Sequence, residues 1–188
     1  MPRNKDALRG RLQQAALELY RERGYEQTTA AEIAARAGVT ERTFFRHFAD
    51  KREVLFDEDP RLRPILTAAV AAAPAGSAPL AVLFHAFASI EPLLQDNRAF
   101  TEPRQAVIAS TPALRERAEA KSASLTALLA VELQRRGVPE KQALLAARAG
   151  MAAFGHAAQS WFENPSVGLR VYLERGFDAL GELARRGS

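Results

Sequence analysis

The stretch Thr28-Thr-Ala-Ala-Glu-Ile-Ala-Ala-Arg-Ala-Gly-Val-Thr-Glu-Arg-Thr-Phe-Phe-Arg-His-Phe-Ala-Asp-Lys51 decides how this chain folds. Thr29 and Glu32 stand three apart, as a capping box requires: the hydroxyl caps a backbone N–H and the carboxylate returns to the cap. Ile33, Ala34 and Ala37 then give a short helix an inner face, with two side chains small enough for close crossing. Gly38 breaks the helix and Val39 plugs the corner, while Thr40 caps a third helix reaching His47. Phe44 and Phe48, four apart, anchor that helix inward and leave Arg42, Phe45 and Arg46 on the opposite side, flanked by Glu41, Thr43 and His47. Two short helices joined by a glycine turn, the second polar outward, describe a helix-turn-helix. Such a helix can enter the major groove, where arginine reaches guanine and a threonine methyl meets thymine.

Upstream, Leu8, Leu12, Ala15, Ala16, Leu19 and Tyr20 form one apolar stripe at helical spacing, with Gly24 as its stop and Tyr25 folding back. Downstream, Asp50-Lys-Arg-Glu53 reads as the start of a fourth helix, a connector over residues 51–59, with Pro60 and Pro64 setting its end. Prolines then punctuate long Ala/Leu helices. One opens at Ser77-Ala-Pro79 and runs to about Gln95, bent at Pro92; a shorter one spans Asn97–Ala109. Thr111-Pro112 opens a helix closed by Gly137, Pro139 opens the next, which ends before Asn164-Pro165, and Ser166–Arg186 forms the last. Ala71–Pro79 is linker-like. The fold class is all-α, with a DNA-binding domain over residues 1–52 and a helical sensing and dimerising domain over 53–188.

Charge agrees with a polyanionic partner. Of a net +4, all the excess lies up to Arg52, which includes eleven basic and seven acidic residues; the remainder has fifteen of each. The chain has no cysteine and its three histidines are scattered, so neither a disulfide nor a metal site is expected. No Gly-x-Ser-x-Gly, phosphate-cradling glycine loop or His/Glu pair at helical spacing is present. Neither catalytic residues nor a cofactor are therefore expected. No apolar run approaches the roughly 18 residues of a membrane span, so a cytoplasmic protein is expected.

The residues from Thr28 to Val39-Thr40, then Thr43-Phe-Phe-Arg-His-Phe-Ala-Asp-Lys51 and Val54-Leu55, resemble the TetR/AcrR family of bacterial regulators. The resemblance covers roughly Ala7–Phe56 and includes an aromatic-x-x-Phe-x-x-Lys run, here Phe45, Phe48 and Lys51. It implies that Thr29 and Lys51 hold DNA phosphates, at the starts of the second and fourth helices, where free N–H groups favour an anion. Thr40, Arg42 and Thr43 are the expected base-edge contacts, and Arg46 and His47 the backbone contacts. The family usually has tyrosine where Phe45 stands; phenylalanine cannot bond a phosphate, so Phe45 is expected against a sugar or a thymine methyl.

The resemblance further implies a homodimer through the last two helices, a palindromic operator and a pocket among the middle helices. Leu144, Met151 and Ala158 recur every seven residues, with Phe154 and Phe162 nearby. Leu169, Leu173, Phe177, Leu180 and Ala184 stripe the last helix, and Gly150, Gly155 and Gly176 permit close approach. Phe84, Phe87, Ile90, Phe100, Phe154 and Trp161 are the apolar pocket candidates, which suits a lipophilic effector, and Arg104 could receive an anionic head group. A body that only dimerises, without an effector, and an activator are the alternative readings.

Overall fold

The computed structural model describes residues 3–56, 59–164 and 166–186. Among them are ten α-helices and no strand: α1 (Arg3–Arg23), α2 (Ala30–Arg36), α3 (Glu41–His47), α4 (Leu62–Ala72), α5 (Pro79–Ser89), α6 (Glu91–Asp96), α7 (Arg98–Ser110), α8 (Pro112–Arg135), α9 (Glu140–Glu163) and α10 (Leu169–Arg186). The chain divides into two compact units that interleave along the sequence. The first takes residues up to 58 together with 98–121, and the second takes 59–97 together with 122–188.

In the first unit the stripe of α1 is buried as its spacing requires, at Leu12, Ala15, Ala16, Leu19 and Tyr20. Leu17, off that stripe, is buried too, and α1 packs against α7 as well as against α2. Gly24 ends α1 with φ at +86°, a conformation glycine adopts without strain. Tyr25 then turns its ring edge onto Tyr20, with centroids 5.2 Å apart. Phe44 and Phe48 close the middle of this core, while Val107, Ile108 and Leu114, from α7 and the start of α8, complete it.

Over residues 51–56 the expected connector helix (51–59) is not α-helical, and its residues 57 and 58 lie outside the described residues. Asp50 does cap the chain as its position suggests, its Oδ1 accepting from the N–H of Arg52 at 2.7 Å and of Glu53 at 3.0 Å. Only one 3-10 turn follows, Glu53–Phe56. Its residues Val54, Leu55 and Phe56 are all buried, and Pro60 has no N–H with which to extend a helix back to the Phe56 carbonyl. The chain becomes helical again at Leu62, with Pro64 in the first turn, where its missing N–H costs nothing.

The second unit is built on Leu66 and Val70 of α4, Val82, Leu83, Ala86 and Phe87 of α5, Leu125, Leu129 and Leu133 of α8, and Trp161 of α9. The helix expected from Pro79 to Gln95 is broken at Ile90, because Pro92 has no N–H for the Ala88 carbonyl. α9 turns a row of small residues inward: Ala143, Ala147, Gly150, Ala153 and Ala157. Gly150 and Gly176 serve approach within the chain. A Cβ on Gly150 would stand 2.8 Å from Leu83 Cδ1, and one on Gly176 would stand 3.3 Å from the Ala153 carbonyl. Arg136 gathers the carbonyls at and just beyond the end of α4, donating to Val70 at 3.1 Å, Ala73 at 2.9 Å and Pro74 at 2.7 Å.

Candidate nucleic-acid interface

The helix-turn-helix forms with its capping intact. Thr29 Oγ1 accepts from the Glu32 N–H at 3.2 Å, and Glu32 Oε2 accepts from the Thr29 N–H at 2.9 Å. The Thr29 N–H first, and second the Thr29 hydroxyl, which donates to the same Oε2 at 2.9 Å, hold the Glu32 carboxyl below its ordinary range. Arg23 pairs with the same carboxylate at 2.7 Å. The turn after α2 is a Schellman closure: Val39 N–H reaches the Ala34 carbonyl at 2.9 Å and Gly38 N–H reaches Ala35 at 3.0 Å, with Gly38 at φ +72°. Thr40 caps α3 by accepting from the Thr43 N–H at 3.3 Å, and the two hydroxyls lie 3.1 Å apart.

Inside, Phe44 is wholly buried and meets Phe48 at 5.7 Å. Outside, Arg42 and Arg46 are exposed on one face of α3, four residues apart, with Phe45 between them. Phe45 is 51% exposed and sets its ring edge-on to Phe44. An aromatic ring left half in water is costly unless something covers it. Thr43 and His47 are half-buried beside this face, and Thr29 and Thr40 lie open at the two helix starts.

Charge is sorted around that face. Arg36 grips Glu22 with both guanidinium arms, at 2.9 and 2.8 Å, and reaches Glu18 at 3.4 Å; that hydrogen bonding holds the Glu22 carboxyl low. Arg52 pairs with Asp50 at 3.0 Å. Among the described residues Arg42 and Arg46 enter no ion pair. Glu18, Glu22 and Glu32 are thus held by arginines of α1 and α2, which leaves Arg42 and Arg46 of the third helix for another partner.

Lys51 departs from expectation. It opens no helix, and its Nζ is turned onto backbone carbonyls, of Tyr25 at 2.9 Å and of Thr28 at 3.0 Å. Contacts across 23 and 26 residues leave no local sign in a sequence. The same holds for Arg9, whose guanidinium lies 5.0 Å from the centre of the Phe48 ring.

The pocket candidates are divided between the two units. Phe100 and Arg104 belong to the first unit, where Phe100 rests on the core and Arg104 donates to the Leu55 carbonyl at 2.8 Å. That bond uses one N–H of the guanidinium expected to receive an anionic head group. Phe84, Phe87, Ile90, Phe154 and Trp161 share the second unit's core. There Phe87 stacks on Phe154 at 4.7 Å, and Phe84 meets Phe177 at 5.7 Å. A cleft of about 280 Å³ in that unit is lined by other residues, among them Pro79, Val82, Leu133, Arg136 and Val138.

A capped helix pair that presents an open arginine face defines a DNA-binding regulator of the helix-turn-helix class. Residues 12–57 match the family model for bacterial regulatory proteins of the tetR family, and residues 77–184 match the MftR C-terminal domain. The chain belongs to the TetR family and is a DNA-binding transcriptional regulator. It is 42% identical over 82 residues to the HTH-type transcriptional regulator TcmR of Streptomyces glaucescens, a match spanning 44% of this chain and 36% of that one. It resembles the structure of Thermus thermophilus FadR, a TetR family transcriptional repressor solved with lauroyl-CoA. Identity there is 28% and the TM-score 0.57, with 92% of each chain covered. Native NalD of Pseudomonas aeruginosa shares the fold at 21% identity and TM-score 0.63, with 94% of this chain and 96% of that one covered. No helix among the described residues is long and apolar enough to cross a membrane.

Proposed function

We propose that this chain is a repressor that holds a palindromic operator as a homodimer and leaves it when a small lipophilic effector binds. The observation that carries the reading is the outward face of α3, where Arg42, Phe45 and Arg46 are open while Glu18, Glu22 and Glu32 are held by arginines of α1 and α2. Residues 1–52 are the DNA-binding part and 53–188 the sensing and dimerising part. Thr40, Arg42 and Thr43 read base edges; Thr29, Arg46 and His47 touch backbone; Phe45 meets a sugar or a thymine methyl. Two heads would sit about 34–36 Å apart, or a multiple of that.

Exposed apolar side chains on the last two helices support the dimer. Leu145 is 69% exposed on α9 and Leu183 72% on α10, with Leu144 and Val171 open as well. Gly155 has nothing beside it that would obstruct a partner. The lauroyl-CoA bound by the Thermus thermophilus relative supports a lipophilic effector. The protein would act in the cytoplasm, where the operator is.

The test is fluorescence anisotropy on a duplex selected from a random library by the wild-type protein. Arg42→Ala should narrow the gap between the selected and a scrambled duplex by about 1–3 kcal/mol for one lost bidentate base contact. If base preferences stay intact, Arg42 does not read bases. Adding acyl-CoAs of increasing chain length should release the duplex by the effector's differential affinity for the two states. The stacked Phe87 and Phe154 favour the second reading, a body that dimerises without an effector; duplex retention across all acyl chains and aromatic probes would select it.

A further inference from the structure

Lys51 stands where a phosphate contact is expected, yet its ammonium faces the protein. Besides the carbonyls of Tyr25 and Thr28, Nζ lies 3.5 Å from the Glu26 carbonyl and 4.2 Å from the centre of the Tyr25 ring. An ammonium has three N–H donors, and these carbonyls and the ring face account for them. The residue is also held at its other end, since the Tyr20 hydroxyl donates to the Lys51 carbonyl at 2.5 Å. Thr28, fully buried, donates its own hydroxyl back to the Gly24 carbonyl at 2.9 Å. One residue beyond α3 thereby ties together the end of α1 and the loop over residues 24–29. That loop ends on Thr29, the cap of α2, whose N–H and hydroxyl are both engaged with Glu32.

We infer that Lys51 is a positioning residue for operator binding: it acts through the loop carbonyls to set the start of α2, and touches no phosphate itself. The inference rests on the DNA-binding role of the head. It goes beyond that role by separating charge that is read by DNA from charge spent on shape. A lysine that releases no counterion adds nothing to the salt dependence of binding, however much affinity it supports.

The experiment titrates the duplex selected by the wild-type protein against full-length Lys51→Met, Tyr20→Phe and Arg46→Ala, from 50 to 200 mM salt. Lys51→Met keeps the aliphatic stem and removes the donors. It should weaken binding by about tenfold at every salt concentration, the scale of one charge-assisted hydrogen bond, with the wild-type slope. Tyr20→Phe, which alters no charge, should weaken binding in the same way. Arg46→Ala should flatten the slope by about 0.9 per head, the mark of a lost phosphate contact. In the NMR spectrum of Lys51→Met, the Thr29 and Glu32 amides should shift and exchange faster while those of Thr43 to His47 hold. A Lys51→Met slope flattened by about 0.9 per head would overturn the inference, as would wild-type affinity in Lys51→Met. If Lys51→Met does not fold, a wild-type affinity in Tyr20→Phe overturns it instead. If the wild-type protein selects no duplex, the DNA-binding role itself has failed, which is a separate result.

Discussion

Gly150 tests the packing of the second unit most directly. It sits buried in the middle of α9, where glycine costs helix stability. A Cβ added there would stand 2.8 Å from Leu83 Cδ1, 3.4 Å from Leu83 Cβ and 3.5 Å from Phe87 Cε2. Leu83 and Phe87 are both wholly buried, so the methyl at 2.8 Å has little room to swing away. Gly150→Ala therefore sets two terms against each other. Helix propensity gains about 0.8–1.0 kcal/mol, and overpacking loses about 1–3 kcal/mol. The net is a destabilisation of about 0–2 kcal/mol. Gly155, five residues on in the same helix, has nothing within 4 Å of an added Cβ. Gly155→Ala keeps only the propensity gain, so the difference between the two variants isolates the overpacking term, about 1–3 kcal/mol. The assay is urea unfolding followed by Trp161 fluorescence, since this single tryptophan is 3% exposed in the same core. Protein concentration is held fixed and the oligomeric state checked by size exclusion, because association adds to apparent stability. If Gly150→Ala proves as stable as Gly155→Ala, Leu83 yields at no cost. The glycine is then not there to let α5 and α9 approach.

Two further perturbations probe the first unit. Arg117 of α8 holds both carboxylate oxygens of Glu53, with Nη2 to Oε2 at 2.8 Å, and the two side chains are 31% and 25% exposed. A double-mutant cycle with Arg117→Met and Glu53→Gln should return a coupling of about 1–2 kcal/mol, above an exposed pair and below a fully buried one; a value under about 0.3 would reduce the pair to surface decoration. Glu32, whose carboxyl is held low, stabilises the start of α2 at pH values above its unfolded pKa, and that stabilisation vanishes as pH falls through the lower folded value. The protection factor of the Thr29 amide, the ratio of its intrinsic to its observed exchange rate at each pH, should therefore fall at acid pH in the wild type and show no such acid step in Glu32→Gln, where the amide still accepts but does not titrate.

Much of the head is legible because its determinants are local. Thr29 and Glu32 are three apart, Gly38 supplies a positive φ where a helix must turn, and Phe44 and Phe48 share a face. Local rules settle such features before any tertiary contact is made. The failures share one cause. Asp50 caps the following N–H groups, but a cap marks where a turn begins and does not say how far it propagates. Gly150 and Gly176 read correctly as places of close approach, yet smallness does not name the neighbour, which lies within the chain. Arg104 and Lys51 were assigned by charge and position, and each is claimed by a backbone carbonyl 23 or more residues away. Long flexible cations go where unpaired carbonyls are, and that is decided only when the helices meet.

The part of the chain that carries the helix-turn-helix is smaller than the part that folds with it. The recognition helix and its supports end near Lys51, but their core closes only with Val107, Ile108 and Leu114, about fifty residues on. Two downstream arginines then hold the turn that follows the head: Arg104 takes the Leu55 carbonyl and Arg117 takes the Glu53 carboxylate. Both are charge-assisted contacts to one 3-10 turn, and the buried run Val54-Leu55-Phe56 lies between the groups they grip and the core. Cutting the chain after residue 58 would strip the head of these partners and expose the apolar surface they cover. A shift in α7 or in the first half of α8 acts on the head through its own core. α8 runs as one helix to Arg135, and its Leu125, Leu129 and Leu133 belong to the core of the second unit.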